Sequence, residues 1–78
     1  MPRAEYYLGT GKTAFVKSMT NSYGELCSAA TASRILGFRS YQFVYDWLKK
    51  NGIPEFDVDG RRRWQTAEIA NKLWEAKV

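Results

Sequence analysis

The stretch LGFRS, Leu36 to Ser40, constrains this chain more than any other, because it leaves almost nothing between two amphipathic segments. Upstream, SAATASRIL places Ala32, Ile35 and Leu36 on one face of a helix, with Ser28 as its cap and Gly37 as a left-handed stop. Phe38 supplies the apolar contact that follows such a stop. Downstream, a helix starting near Ser40 runs through YQFVYDWLKKN. Tyr41, Val44, Trp47 and Leu48 share one of its faces, and Gln42, Tyr45, Asp46 and Lys49 the other. Gly52 and Pro54 terminate it. Two helices joined by so short a turn form a helix-turn-helix.

The next segment, IPEFDVDGRRRWQ, alternates Phe56 and Val58 with acids before Asp59-Gly60, a strong hairpin signal. Setting Phe56 opposite Trp64 on one face requires a bulged loop over Asp59 to Arg61. A strict two-residue loop would oppose Phe56 with Arg63, so apolar pairing favours the longer loop. Thr66 is then expected to cap a third helix, TAEIANKLWEA, that buries Ile69, Leu73 and either Trp74 or Ala70. Trp47, Trp64 and Trp74 are all assigned to the core.

Residues 1–25 read as an extension or arm ahead of a domain at 26–78. They are punctuated by Gly, Ser and Thr and carry no sustained period. Tyr6 to Leu8 and Thr13 to Val16 are candidates to pair as short strands across GTGK; Val16 to Met19 equally suits a short helical turn. Pro2 and Arg3 read as a loose end. The run LGTGKT, Leu8 to Thr13, invites comparison with a phosphate-binding loop. That loop needs a glycine five places before Gly11, where Tyr6 stands, and a parallel sheet that 78 residues cannot supply. Gly9 and Gly11 therefore read as turn residues, and no nucleotide is expected.

Composition closes other routes. A chain of 78 residues, 45% hydrophobic, is one small folded domain without a run near the ~20 apolar residues that span a bilayer. No leader pattern is evident, so a cytoplasmic location is expected. Cys27 is the one cysteine and histidine is missing, which removes a disulfide, the usual metal ligand and the usual general base. No cofactor, metal or enzymatic activity is expected. Twelve Lys and Arg against eight acids leave +4, a mild bias toward polyanions.

The position of that charge is more informative. Arg61, Arg62 and Arg63 stand at the hairpin tip directly after the helix-turn-helix, which makes an α+β winged helix-turn-helix. In this reading the second helix carries the recognition row. Gln42 suits an adenine edge; Arg39, Ser40 and Lys49 suit phosphates; Tyr41 and Tyr45 join the contact set, with packing as their competing role. The three arginines suit phosphate or a narrow minor groove.

From Cys27 to about Leu73 the chain resembles the excisionase and MerR-like winged-helix DNA-binding domains of phages and mobile elements. CSAATASRILG is similar to the family's capped first helix, VYDWLKKNGIP to the end of its recognition helix, and Gly60 through Ile69 to its wing and last helix. The chain departs from the family at Ala30 and Thr31, where acids are usual. The resemblance implies that Cys27 is a core residue. It also implies a recombination directionality factor that binds and bends attachment-site double-stranded DNA and assists an integrase. A homodimer or a cooperative array would supply the specificity that one small module lacks. A transcription regulator with the same domain, or a protein-interaction module, are the rival readings.

Overall fold

The computed structural model describes residues 3–76, with side chains from residue 11 onward. It is a small α+β protein of four helices and one three-stranded antiparallel sheet. In chain order these are α1 (Arg3–Tyr23), β1 (Leu26–Cys27), α2 (Ala29–Leu36), α3 (Tyr41–Lys50), β2 (Glu55–Val58), β3 (Arg61–Gln65) and α4 (Thr66–Ala76). The strand order is β1-β3-β2, so β3 is central and carries both ladders.

The local signals around α2 and α3 act as their chemistry dictates. Ser28 Oγ accepts from the Thr31 backbone N–H, satisfying a donor that the first helical turn leaves open. At the other end, Gly37 and Phe38 both donate to the Ser33 carbonyl, at 2.8 and 3.2 Å, and the Ser33 hydroxyl returns a 2.7 Å bond to Phe38 O. Ser40 Oγ accepts from Gln42 N–H and starts α3, while Asn51 Nδ2 donates to Trp47 O and closes it. Val44 and Leu48, one turn apart, are fully buried. Tyr41 lies on the expected apolar face but is 49% exposed, because it stands in the first turn beyond the reach of the core.

The hairpin register differs from the sequence expectation. Phe56 pairs with Arg63 and Val58 with Arg61, across a two-residue loop. Asp59 (φ 54) and Gly60 (φ 79) both adopt the left-handed conformation that such a loop requires, and aspartate and glycine are the pair that tolerates it. Asp57 Oδ1 accepts from Gly60 N–H at 2.7 Å and fixes the turn further. Turn chemistry therefore outweighs the pairing of Phe56 with Trp64.

Thr66 is also corrected. Its hydroxyl caps nothing: it is buried and makes no hydrogen bond of normal geometry, while its backbone N–H donates to Glu25 O and extends the β1 ladder. Beside it lies the Cys27 thiol, a weak donor and acceptor that cannot satisfy it fully. Burial pushes the Cys27 thiol above its ordinary 9.0, with the Thr66 hydroxyl and the Arg63 charge offsetting part of the rise.

The largest correction is at the N-terminus. In place of a hairpin or short turn, Arg3–Tyr23 form one helix of 21 residues, and LGTGKT lies wholly within it. Pro2 lies outside the described residues. Gly11 is buried against α4, where an added Cβ would stand 2.9 Å from Trp74 Cη2. Phe15 packs on the same indole at 5.6 Å between centroids, and Lys12 Nζ reaches Glu75 Oε2 at 3.6 Å. Tertiary contact with α4 thus outweighs the ~1 kcal/mol that each glycine costs a helix.

The core comprises Cys27, Ala32, Val44, Leu48, Ile53, Trp64 and Ile69, ringed by half-buried Ile35, Leu36, Phe38, Tyr45, Trp47 and Leu73. Of the three tryptophans only Trp64 is fully buried; Trp47 and Trp74 are half-buried. No helix among the described residues is long and apolar enough to cross a membrane.

Core packing and the buried thiol each set a measurable outcome. Trp64→Ala should cost about 3–5 kcal/mol in urea unfolding and Trp47→Ala distinctly less. Because the folded Cys27 pKa is raised, its stabilising contribution is complete below the unfolded thiol value and is lost as pH rises through and above ~9. Denaturation curves carried through and beyond that pH should show a decline that Cys27→Ser lessens.

Candidate functional site

One surface joins α3 to the hairpin. On α3, the side away from Val44 and Leu48 exposes Gln42, Asp46, Lys49 and Lys50. Gln42 Nε2 donates to Asp46 Oδ1 at 3.1 Å, a one-turn pairing that orients the amide along the helix surface. Arg39 and Ser40 stand exposed at the N-terminal end of the same helix, and the Ser40 hydroxyl is engaged in capping.

Strand alternation divides the arginine run. Cross-strand partners share a sheet face, so Glu55, Asp57, Arg62 and Trp64 lie on the side of α3, whereas Phe56, Val58, Arg61 and Arg63 lie on the opposite side. Only Arg62 faces α3. Its guanidinium carbon sits 4.5 Å from the centroid of the Tyr45 ring and 5.5 Å from that of Trp64, and its Nε meets Glu55 Oε2 at 3.2 Å. Tyr45 in turn packs on Trp64 at 5.8 Å. The arrangement pins the hairpin beside α3 with its one inward cation half-exposed.

Between helix and hairpin lies an open cleft of about 490 Å³, bordered by Tyr45, Asp46, Lys49, Glu55, Arg62 and Trp64. It carries two cations and two carboxylates. Such a cleft can accept a polyanion's backbone at Lys49 and Arg62, while Asp46 and Glu55 repel phosphate held in any other register.

Of the residues singled out from sequence, Tyr45, Lys49 and Arg62 come together at the cleft, Gln42 adjoins it through its bond to Asp46, and Arg39, Ser40 and Tyr41 lie along the helix start. Arg61 and Arg63 do not join them. Asp46, Lys50 and Glu55 belong to the surface without being among the expected contact residues. Asp46 and Lys50 are legible from the helical period alone, since both fall opposite Val44 and Leu48. Glu55 needs the hairpin register. Among the described residues, no group of three or more His, Cys, Asp or Glu is placed to hold a metal ion.

No protein-family model matches the chain, and no curated protein or solved structure matches it significantly.

The Tyr45–Arg62 stack should appear as a coupling of about 0.5–1 kcal/mol in a double-mutant cycle on unfolding free energy. The half-exposed Arg62–Glu55 pair should give about 0–1 kcal/mol, falling with added salt. A Tyr45–Arg62 coupling of zero would show that the stack does not hold the hairpin.

Proposed function

We propose that this chain is a non-enzymatic, sequence-specific double-stranded-DNA-binding protein with a winged helix-turn-helix architecture. In this reading α3 enters the major groove and the β2–β3 hairpin lies along the neighbouring backbone as the wing. The observation that carries it is the Tyr45–Arg62–Trp64 stack, which joins a helix bearing Gln42, Lys49 and Lys50 to an arginine-bearing hairpin at fixed orientation. Ten residues of helix extend about 15 Å, commensurate with a groove ~12 Å wide.

The roles divide by chemistry. Arg39, Lys49, Lys50 and the exposed edge of Arg62 take phosphates, as point charges or as a planar fork. Gln42, oriented by Asp46, reads a base edge; the Asp46 carboxylate accepts from an exocyclic amine and rejects phosphate, so α3 discriminates rather than merely adheres. Tyr41 covers sugar and backbone at the start of the helix.

The order of motifs from Cys27 to Leu73, similar to excisionase and MerR-like domains, supports a role in organising attachment-site DNA with an integrase. A module with so few base-reading side chains needs a dimer, an array along adjacent sites or a partner to be specific.

Selection of bound sites from random duplex DNA tests the reading. A defined site should emerge, in tandem repeats for the recombination role and as a palindrome for a transcription regulator. Affinity for it should fall linearly on a logarithmic salt axis, and replacing Lys49 and Lys50 by alanine should reduce that slope by about 0.9 for each phosphate no longer neutralised. Gln42→Ala should relax preference at one base pair by about 1–3 kcal/mol. No selected site, or a salt-independent response, would refute DNA binding.

A further inference from the structure

The sheet has a second face, and α3 does not use it. By register, Leu26 lies beside Gln65, Phe56 beside Arg63 and Val58 beside Arg61, all directed away from Trp64 and the core. Leu26 is 38% exposed, Phe56 39% and Val58 44%. Single exposed apolar side chains are ordinary on any protein. Three on one small sheet face, interleaved with two arginines, are a patch of the composition that protein interfaces favour in their centres: aromatic, aliphatic and arginine together.

Its charge is one-sided. The ladder places no acid on this face, and among the described residues neither Arg61 nor Arg63 is paired with a carboxylate. Arg63 Nη1 donates to the Arg62 carbonyl, a neutral acceptor that does not offset its charge. The strand acids of the hairpin, Glu55 and Asp57, lie on the other face with Arg62, and the third, Asp59, stands in the loop beyond the ladder.

We propose that this outer face docks an acidic amphipathic segment of another polypeptide, with its apolar stripe on Leu26, Phe56 and Val58 and its carboxylates on Arg61 and Arg63. A nucleic acid would satisfy the arginines and leave the three apolar side chains against phosphate and sugar. A second copy of this chain, placed face to face about a two-fold axis, would bring like charges together. An acidic, apolar partner satisfies both components. The surface lies across the hairpin from the cleft beside α3, so partner and duplex occupy opposite sides of the same strands. The inference rests on the duplex reading only for that division of faces.

The test uses the full chain, isotope-labelled, and a synthetic helical peptide with a leucine stripe flanked by glutamates. Saturable amide shifts should centre on Leu26, Phe56, Val58, Arg61 and Arg63 and persist with the selected duplex bound. A peptide with lysine for glutamate should bind at least ~tenfold more weakly. Val58→Asn and Arg61→Glu should each abolish peptide shifts while keeping the dispersed spectrum of the folded chain, and the uncharged Val58→Asn should leave duplex affinity unchanged. Absence of saturable shifts, equal binding of the lysine peptide, competition between peptide and duplex, or binding of phosphatidylserine vesicles in place of the peptide would each overturn the proposal. Duplex binding is read separately, so failure of the docking face and failure of the DNA reading give different results.

Discussion

Burial of the Trp64 indole is the constraint on which the remaining geometry depends. It stands on the central strand, 3% exposed, opposite Cys27 on one side and Glu55 on the other, with Tyr45 of α3 packed on its ring. An indole brings a large apolar area and two stiff torsions, so the elements that seal it have little freedom to rotate. Through it the position of α3 relative to the hairpin becomes a property of the core rather than of a surface loop. The same burial fixes the parity of β3: with Trp64 inward, Arg62 must face α3 and Arg61 and Arg63 must face away.

Parity gives a short hairpin two distinct surfaces. Toward α3 it offers mixed charge: a stacked arginine, two carboxylates and a tryptophan edge. Away from α3 its strands offer arginines that no carboxylate pairs among the described residues, set among apolar side chains. A run of three identical residues thus meets different surroundings according to odd or even position. The mixed charge of the cleft also bears on how α3 would act, since carboxylates beside the cations lower indiscriminate attraction and leave contact geometry to decide affinity.

What is legible in the sequence is what is decided locally. Ser28, Gly37, Ser40 and Asp59-Gly60 act within a few residues of themselves, and their roles can be read directly. The register of β2 against β3 is misjudged when cross-strand apolar pairing is ranked above the backbone demands of the turn, although Asp59-Gly60 already specifies a two-residue loop. The facing of each arginine follows from the register and is hidden with it. Thr66 looks like a cap from its position before a helix, but its burial beside Cys27 is set by the sheet. The first helix is illegible for a different reason. Gly9 and Gly11 weaken any local helical preference, and the stabilisation that restores it comes from Trp74, more than sixty residues later. On the surface beside α3, Gln42 and Lys49 are visible from the helical period, whereas Glu55 depends on pairing that no local pattern encodes.

Gly11 turns that distant contact into a measure of chain length. With the indole of Trp74 where it stands, a side chain at Gly11 would crowd it at 2.9 Å, and a helix rotates by about 100° with each residue. Inserting or deleting a single residue between Gly11 and the helix end at Tyr23 would swing the notch away from α4 or detach β1 from β3. Additions ahead of Gly11 rotate nothing behind it. The distance along the chain from Gly11 to Leu26 is therefore fixed by steric fit at one end and by strand pairing at the other. Within that interval the protein should accept exchanges of residue far more readily than changes in their number.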